Sequence, residues 1–498
     1  MMNWLKRNRT EALLVLGIII LAAFLRFYQL PAYMTFLGDE GRDALMIKRI
    51  LVGHDLPLLG PPTSVGNMYL GPLYYYMMAV PMAIFWLNPA AAAAMDAVIG
   101  VLTVMLVYYL GRQWFDRWAA ALSALLYAVS PVTIIYSRSS WNPNPAPFFA
   151  LLAMFGLYKA RQKNNFLWFI LTGASLAFAL QMHYLAIILL PVFGLLWIFE
   201  FFSNRNRHFW TGTLGAAAAF LALMSPLVIF DFRHNFINYR AFTALFTSGN
   251  SAVGASASNL AASLAIYQDK LIGRYIAGEN PWLSFIAAVL VLLPLVWVLF
   301  KKDFRNKWPF LALGIWLTGG IIGISFYKQS IYDHYLGFLN PAPFLLLGGA
   351  TVFLKKQGKL IFVAIVLLAL GFVNLAKNPL LFAPNNQLPR TQEIAKFVIS
   401  QAGDKPFNFA LIAASNYDAA YQFYLEEYGH KPKVVPIEVT DQLFVVCEDE
   451  VCQPVGHPKY EIAGFGWTKI DWEKDFDGVK VFRLVHNPAD PNFKELGL

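Results

Sequence analysis

The sequence predicts an all-α polytopic membrane protein of about 11 transmembrane helices, followed by a small extracytoplasmic α/β domain. Composition gives the first reason: 58% of the 498 residues are hydrophobic and only 14% are charged. Soluble chains carry roughly 25% charged residues, so neither a string of soluble domains nor a disordered chain fits. Uneven charge gives the second reason. The net +9 divides into 28 Lys+Arg against 13 Asp+Glu in residues 1–383, and 11 against 17 in residues 384–498. A basic membrane part with an acidic tail also argues against nucleic acid as a partner.

A helix needs about 20 mostly apolar residues to cross the hydrocarbon core. Such runs lie near 11–30, 90–110, 118–136, 145–158, 166–182, 184–202, 209–230, 282–300, 309–326, 335–354 and 360–377. The first follows Lys6, Arg7 and Arg9 as a signal peptide would. Its apolar run is too long for one, and no small-residue cleavage site follows, so it reads as an uncleaved span.

Basic residues set the expected topology, because short cytoplasmic loops are rich in Lys and Arg. Lys6/Arg7/Arg9, Arg112/Arg117, Lys159/Arg161/Lys163, Arg205/Arg207, Lys301/Lys302/Arg305/Lys307 and Lys355/Lys356/Lys359 mark alternate connections, with only Asp116 and Asp303 as acids among them. The alternation survives only if the Tyr- and Pro-rich stretch Tyr69–Leu87 does not cross. It is therefore expected as an interfacial helix on the outer face. The N-terminus is then cytoplasmic and the tail outside the cell membrane.

In the tail, Thr391–Ala402 and Tyr417–Glu427 read as helices. Phe407–Ile412, Lys433–Ile437, Leu443–Val446 and Val479–Val485 read as strands. The two cysteines, Cys447 and Cys452, lack the ligands of a zinc site and read as a disulfide of an oxidising compartment, with two reduced thiols the alternative.

Polar residues gather in the outer connections. Gly38-Asp39-Glu40-Gly41-Arg42-Asp43 follows span one, and adjacent carboxylates beside an Arg suit a general base held ionised by a cation. Ser137-Arg138-Ser139-Ser140-Trp141-Asn142-Pro143-Asn144, Gln181-Met182-His183-Tyr184, Asp231-Phe232-Arg233-His234 and Asp333-His334-Tyr335 occupy further outer turns. Each alone reads as an interfacial cap with snorkelling side chains. All on one side, their Arg and His suit a phosphate at headgroup depth. Asp96, near the outer start of its span, suits a structural partner or catalysis equally.

The string Asp39-Glu40-x-Arg42-x-Ala44 resembles the acidic first-loop motif of the C-type glycosyltransferases that use lipid-linked sugars, which include protein O-mannosyltransferases and lipid A aminoarabinose transferases. Leu51-x-Gly53-His54-Asp55 and Gly71-Pro72-Leu73-Tyr74-Tyr75 continue the likeness, as do Arg112–Trp118, Ser137-Arg138 and His334-Tyr335 with Pro341-x-Pro343. It covers about residues 10–355. The resemblance implies a GT-C fold, a polyprenyl-phosphate sugar as donor, and a protein, lipid or glycan hydroxyl as acceptor. Asp39 is then the general base with inversion at the sugar, and Glu40 assists. Arg42, Arg138, Arg233, His183 and His334 are the cations for the leaving phosphate. Tyr74, Asn142, Asn144, Tyr184, His234 and Tyr335 complete the expected substrate contacts. No metal or other cofactor is expected.

The chain departs from the aminoarabinose transferases at three places: Tyr69-Leu70 stand where they have a Lys, Asn142 or Asn144 where they have an Asp, and His183 where they have another Lys. The tail matches nothing recognised, and acceptor recognition is the role expected of it. A multi-span transporter or flippase is the competing class, against which stand the absence of an internal repeat and of central charges other than Asp96.

Overall fold

The structure is a computed structural model that describes residues 8–63, 68–163, 165–203, 207–247, 260–300, 307–327 and 329–487. Of the basic residues used above, Lys6, Arg7, Arg205, Lys301, Lys302 and Arg305 lie outside the described residues, as does Asp303. The helices are α1 Arg9–Phe27, α2 Gly38–Gly53, α3 Leu73–Ile84, α4 Pro89–Trp114, α5 Arg117–Val129, α6 Ala146–Lys163, α7 Phe166–Met182, α8 Leu189–Ser203 and α9 Arg207–Arg233. They continue with α10 Ile237–Thr247, α11 Leu260–Ile266, α12 Pro281–Leu299, α13 Trp308–Ser325, α14 Pro341–Lys356, α15 Leu360–Ala376, α16 Gln387–Ala402 and α17 Ala419–Glu427. The strands are β1 Asn408–Ile412, β2 Gln442–Cys447, β3 Thr468–Phe476 and β4 Val479–His486.

The chain divides into two compact units. The first comprises Met1–Leu30, Asp55–Phe85 and Ala91–Ala383; the second comprises Pro31–His54, Trp86–Ala90 and Pro384–Leu498. The first outer loop of the sequence reading, with Asp39, thus belongs to the unit that contains the tail.

The first unit is a helical bundle of a multi-pass membrane protein. Among the described residues, six helical stretches are at least 18 residues long and apolar enough to cross a membrane. Shorter apolar helices include α3, α5 and α7. The 12 residues of α3 reach only about 18 Å, well short of a hydrocarbon core of about 30 Å. The run near 118–136 breaks where Ser130 precedes Pro131, since a residue before proline avoids helical geometry; a separate short helix, Pro131–Ile135, follows. Asp116 caps α5 through the N–H groups of Trp118 and Ala119, both at 2.9 Å.

Close helix approach in this bundle depends on small residues. A side chain at Gly173 of α7 would sit 2.0 Å from the carbonyl oxygen of Ala216 in α9. At the ends carrying the basic connections, acids placed one turn inside the helices receive some of the cations. Arg112 and Tyr108 both donate to Glu11 Oε1 at 2.7 Å. Glu200 accepts from Arg161 and, at 2.8 Å, from Trp308 Nε1.

The tail of the second unit carries a four-stranded sheet of order β1-β2-β4-β3, parallel at β1–β2 and antiparallel elsewhere. Ala410, Ile412, Leu443, Val445, Phe482 and Leu484 fill one face together with Ile462 and Phe465. Cys447 and Cys452 form a disulfide. The stretch 433–437 is not a strand: it makes one bridge, Lys433 to Asn408, and Pro436 has no N–H to continue a ladder. β3 carries no hydrophobic strand pattern, because Lys, Asp and Glu fill an edge strand whose middle is largely exposed.

Candidate functional site

Within the second unit, α2 begins at the acidic motif and its start is tightly held. Glu40 Oε2 accepts the N–H of Leu37 at 3.0 Å, closing the first turn as a capping-box acid does. Glu40 is buried, and that burial pushes its carboxyl up to about 7. Asp39, one residue earlier, points elsewhere: its side chain is 41% exposed. Its Oδ1 accepts from Arg42 Nη1 at 2.7 Å and from the Tyr417 hydroxyl at 2.8 Å. Arg42 also grips the fully buried Asp43, donating from Nε at 2.9 Å and Nη2 at 2.7 Å. Asp39 Oδ2 has no hydrogen-bond partner among the described residues. One carboxylate oxygen is therefore fixed and the other open, which suits proton abstraction.

The first unit assembles a second cluster from three outer turns of the sequence reading. His334 packs 4.4 Å from the Trp141 ring, 6.0 Å from Tyr136 and 5.9 Å from His183, measured between centroids. His183 is stacked on Tyr184 at 4.6 Å and lies 4.7 Å from Tyr335. Its Nδ1 accepts the N–H of Leu185 at 3.2 Å, so the proton of the neutral ring sits on Nε2. The Tyr184 hydroxyl meets that of Tyr327 at 2.6 Å. Beside this cluster lies a cavity of about 20 Å³, lined in part by Tyr136, Ser137, Asn144, His334 and Asn340, with room for about one water molecule.

Other expected contacts have structural partners in this unit. Tyr74 is buried and donates to Asp96 Oδ2 at 3.1 Å. Arg138 donates to the carbonyls of Leu25 at 2.8 Å and Tyr28 at 2.6 Å, closing the C-terminal end of α1. Asn142 donates to Met182 O at 2.8 Å and Asn144 to Ser139 O at 2.7 Å, which stiffens the turn. Arg233 and His234 are exposed at the end of α9, where His234 stacks on Phe230 at 4.0 Å.

Three features escaped the sequence reading. Tyr417 lies 378 positions from Asp39 and carried no local signal. Arg274 pairs with the buried Asp333 at 2.6 Å, and Lys270 approaches it at 4.0 Å. Both cations sit on a π-helical turn, Tyr267–Arg274, a geometry common at functional sites. Asp231 caps the next helix by accepting from Asn238 N at 2.8 Å and Tyr239 N at 3.0 Å.

The fold is similar to that of known proteins. ArnT from Cupriavidus metallidurans, solved with undecaprenyl phosphate, superposes with a TM-score of 0.63 at 14% identity, covering 94% of this chain and 97% of that one. The chain has the GT-C fold. The Archaeoglobus fulgidus oligosaccharyltransferase gives a TM-score of 0.58 at 14% identity, over 86% of this chain and 65% of its own. Residues 70–230 match the family described as Dolichyl-phosphate-mannose-protein mannosyltransferase. YkcB of Bacillus subtilis (strain 168), a candidate mannosyltransferase, is 26% identical over 165 residues, which is 32% of this chain and 22% of YkcB. Across the curated relatives it matches, the chain spans between a fifth and a third of their length. The likeness read from the first outer loop and the Pro-Leu-Tyr-Tyr helix therefore holds for the GT-C fold.

Proposed function

We propose that the protein is a membrane glycosyltransferase that moves a hexosyl or pentosyl group from a polyprenyl phosphate to an acceptor hydroxyl, with Asp39 as general base. The observation that carries this reading is the asymmetry of the Asp39 carboxylate, with Oδ1 held by Arg42 and Tyr417 and Oδ2 open. The GT-C fold and the undecaprenyl phosphate held by the ArnT structure support the donor class.

In this reading residues 1–383 form the transferase domain and residues 384–498 an extracytoplasmic domain. The N-terminus is cytoplasmic and the acceptor arrives from outside, as the alternation of Lys and Arg implies. Asp39 Oδ2 takes the proton of the acceptor hydroxyl as its oxygen bonds to the anomeric carbon. The bond from that carbon to the lipid phosphate oxygen breaks, and its electron pair leaves with the phosphate. Attack opposite the departing group inverts the anomeric centre. Arg42 holds Oδ1 at 2.7 Å and Glu40 holds the helix start. Of the cations expected for the leaving phosphate, Arg138 is engaged with two backbone carbonyls.

The test is turnover by the purified protein. Supplied in detergent with a panel of polyprenyl-phosphate sugars, it releases free polyprenyl phosphate from one of them, and Asp39→Asn lowers that rate by about 10²–10⁴-fold with folding intact. An Asp39→Asn protein that turns over at the parent rate refutes the assignment.

A further inference from the structure

The acidic turn owes its geometry to the tail. The N–H of Gly38 donates to Asn416 Oδ1 at 2.8 Å, and Asn416 Nδ2 donates to Glu448 Oε2 at 2.8 Å. Tyr421 holds the other oxygen of Glu448 at 2.7 Å. A side chain at Gly38 would sit 2.4 Å from the Tyr417 ring, so the ring lies directly on the backbone at the start of α2. Lys48 and Glu427 pair at 3.6 Å further along the same two helices. The Asp39 carboxylate is thus presented by one helix and held by the turn that leads into another.

Tyr417 is a donor in this arrangement. Burial and the neighbouring Asp39 carboxylate both push its phenol above the ordinary tyrosine range, so it stays protonated at any physiological pH. Arg42 Nη1 approaches the same hydroxyl at 3.2 Å and Asp39 Oδ1 at 2.7 Å, closing a three-cornered contact. With two donors on Oδ1, the carboxylate cannot rotate to exchange its oxygens without breaking both bonds.

We infer that Tyr417 is a positioning residue for the Asp39 base: by occupying Oδ1 it commits Oδ2 to the acceptor proton, which makes the tail part of the catalytic machinery. The inference rests on the proposed glycosyl transfer. The proton still travels from the acceptor hydroxyl to Oδ2, and Tyr417 neither gains nor loses one.

The full-length protein tests it through a comparison of kcat with KM. Tyr417→Phe keeps the ring on Gly38 and removes only the hydroxyl. With one of the two donors on Oδ1 gone, the carboxylate turns more freely and kcat falls about tenfold to a hundredfold. The KM for the polyprenyl-phosphate sugar and the melting temperature stay near the parent's. In an Asp39→Asn background the same change has no further effect. Replacement of Tyr417 by a fluorotyrosine, which keeps fold and bond but strengthens the donor, weakens the base and lowers kcat by about twofold to fivefold. A parent kcat in Tyr417→Phe, or in the fluorotyrosine protein should Tyr417→Phe not fold, overturns the inference. If Asp39→Asn is inactive in that same experiment, the base assignment survives. If Asp39→Asn is also fully active, the base assignment falls with it while the glycosyl transfer stands.

Discussion

Tyr74 donates its hydroxyl to Asp96 Oδ2 at 3.1 Å, and the same oxygen accepts the N–H of Trp141 at 3.3 Å. Asp96 is 2% exposed, within α4, and so ties the short helix α3 and the Trp141 turn to a membrane-crossing segment. Asp96→Ala leaves a buried phenol and a backbone N–H without an acceptor, each costing about 1–3 kcal/mol. Tyr74→Phe removes one donor and costs about 1 kcal/mol. Thermal denaturation in detergent therefore ranks the variants parent, Tyr74→Phe, Asp96→Ala in falling stability. If Asp96→Ala melts with the parent, Asp96 does not hold the turn.

Glu40 predicts a pH dependence of stability. Its folded carboxyl keeps a proton up to about 7, while the unfolded chain releases it near the ordinary 4.5. Between those values the folded state binds more protons, so stability is fullest below about 4.5 and declines as pH rises to about 7. The shift corresponds to roughly 3 kcal/mol, as an order of magnitude. Glu40→Gln keeps an oxygen for the Leu37 N–H and removes the titration. Denaturant unfolding between pH 4.5 and 7 is expected to show a decline in the parent that is absent in Glu40→Gln.

These two sites show what a sequence can and cannot reveal. Apolar runs make the bundle legible, because burial in lipid acts on contiguous residues. Asp39, Glu40 and Arg42 are likewise neighbours, so their motif is visible. Tyr417 is not, since its role exists only once α17 lies against α2. Arg138 is polar and lies in a turn, which reads as an available cation. The structure puts it under the carbonyls of α1, a contact set by packing 110 residues away in sequence. The charged edge strand β3 hides from a hydrophobic pattern for the same reason that 433–437 imitates one: pattern records side chains, whereas pairing depends on backbone groups that Pro436 lacks.

Arg138 gives a third prediction. It is 3% exposed and donates to Leu25 and Tyr28, carbonyls at the end of α1 that have no acceptor role within the helix. Arg138→Ala leaves both without a charged donor and costs about 2–4 kcal/mol in thermal denaturation, while Arg138→Lys recovers part of it. Under conditions where Arg138→Lys stays folded, its KM for the lipid-linked sugar is unchanged. A large rise in KM with unchanged stability assigns Arg138 to the phosphate instead.

The last prediction separates two glycines of α2 by their surroundings. A side chain at Gly41 would meet the backbone nitrogen of Ala420 at 2.2 Å and its Cα at 2.3 Å. Backbone atoms cannot swing aside as a flexible side chain does, so Gly41→Ala has to move α2 away from α17 at a cost of about 2–3 kcal/mol. That displacement carries Asp39 off the Tyr417 hydroxyl. Gly53, at the other end of the same helix, has nothing within 4 Å of the added carbon. Gly53→Ala therefore gains helix propensity and is neutral or more stable by about 0.5 kcal/mol. Limited proteolysis of the tail gives the readout: faster cleavage in Gly41→Ala and parent-like cleavage in Gly53→Ala. Equal behaviour of the two variants contradicts the close contact of α2 with α17, because both substitutions add the same methyl group to the same helix and differ only in what that group meets.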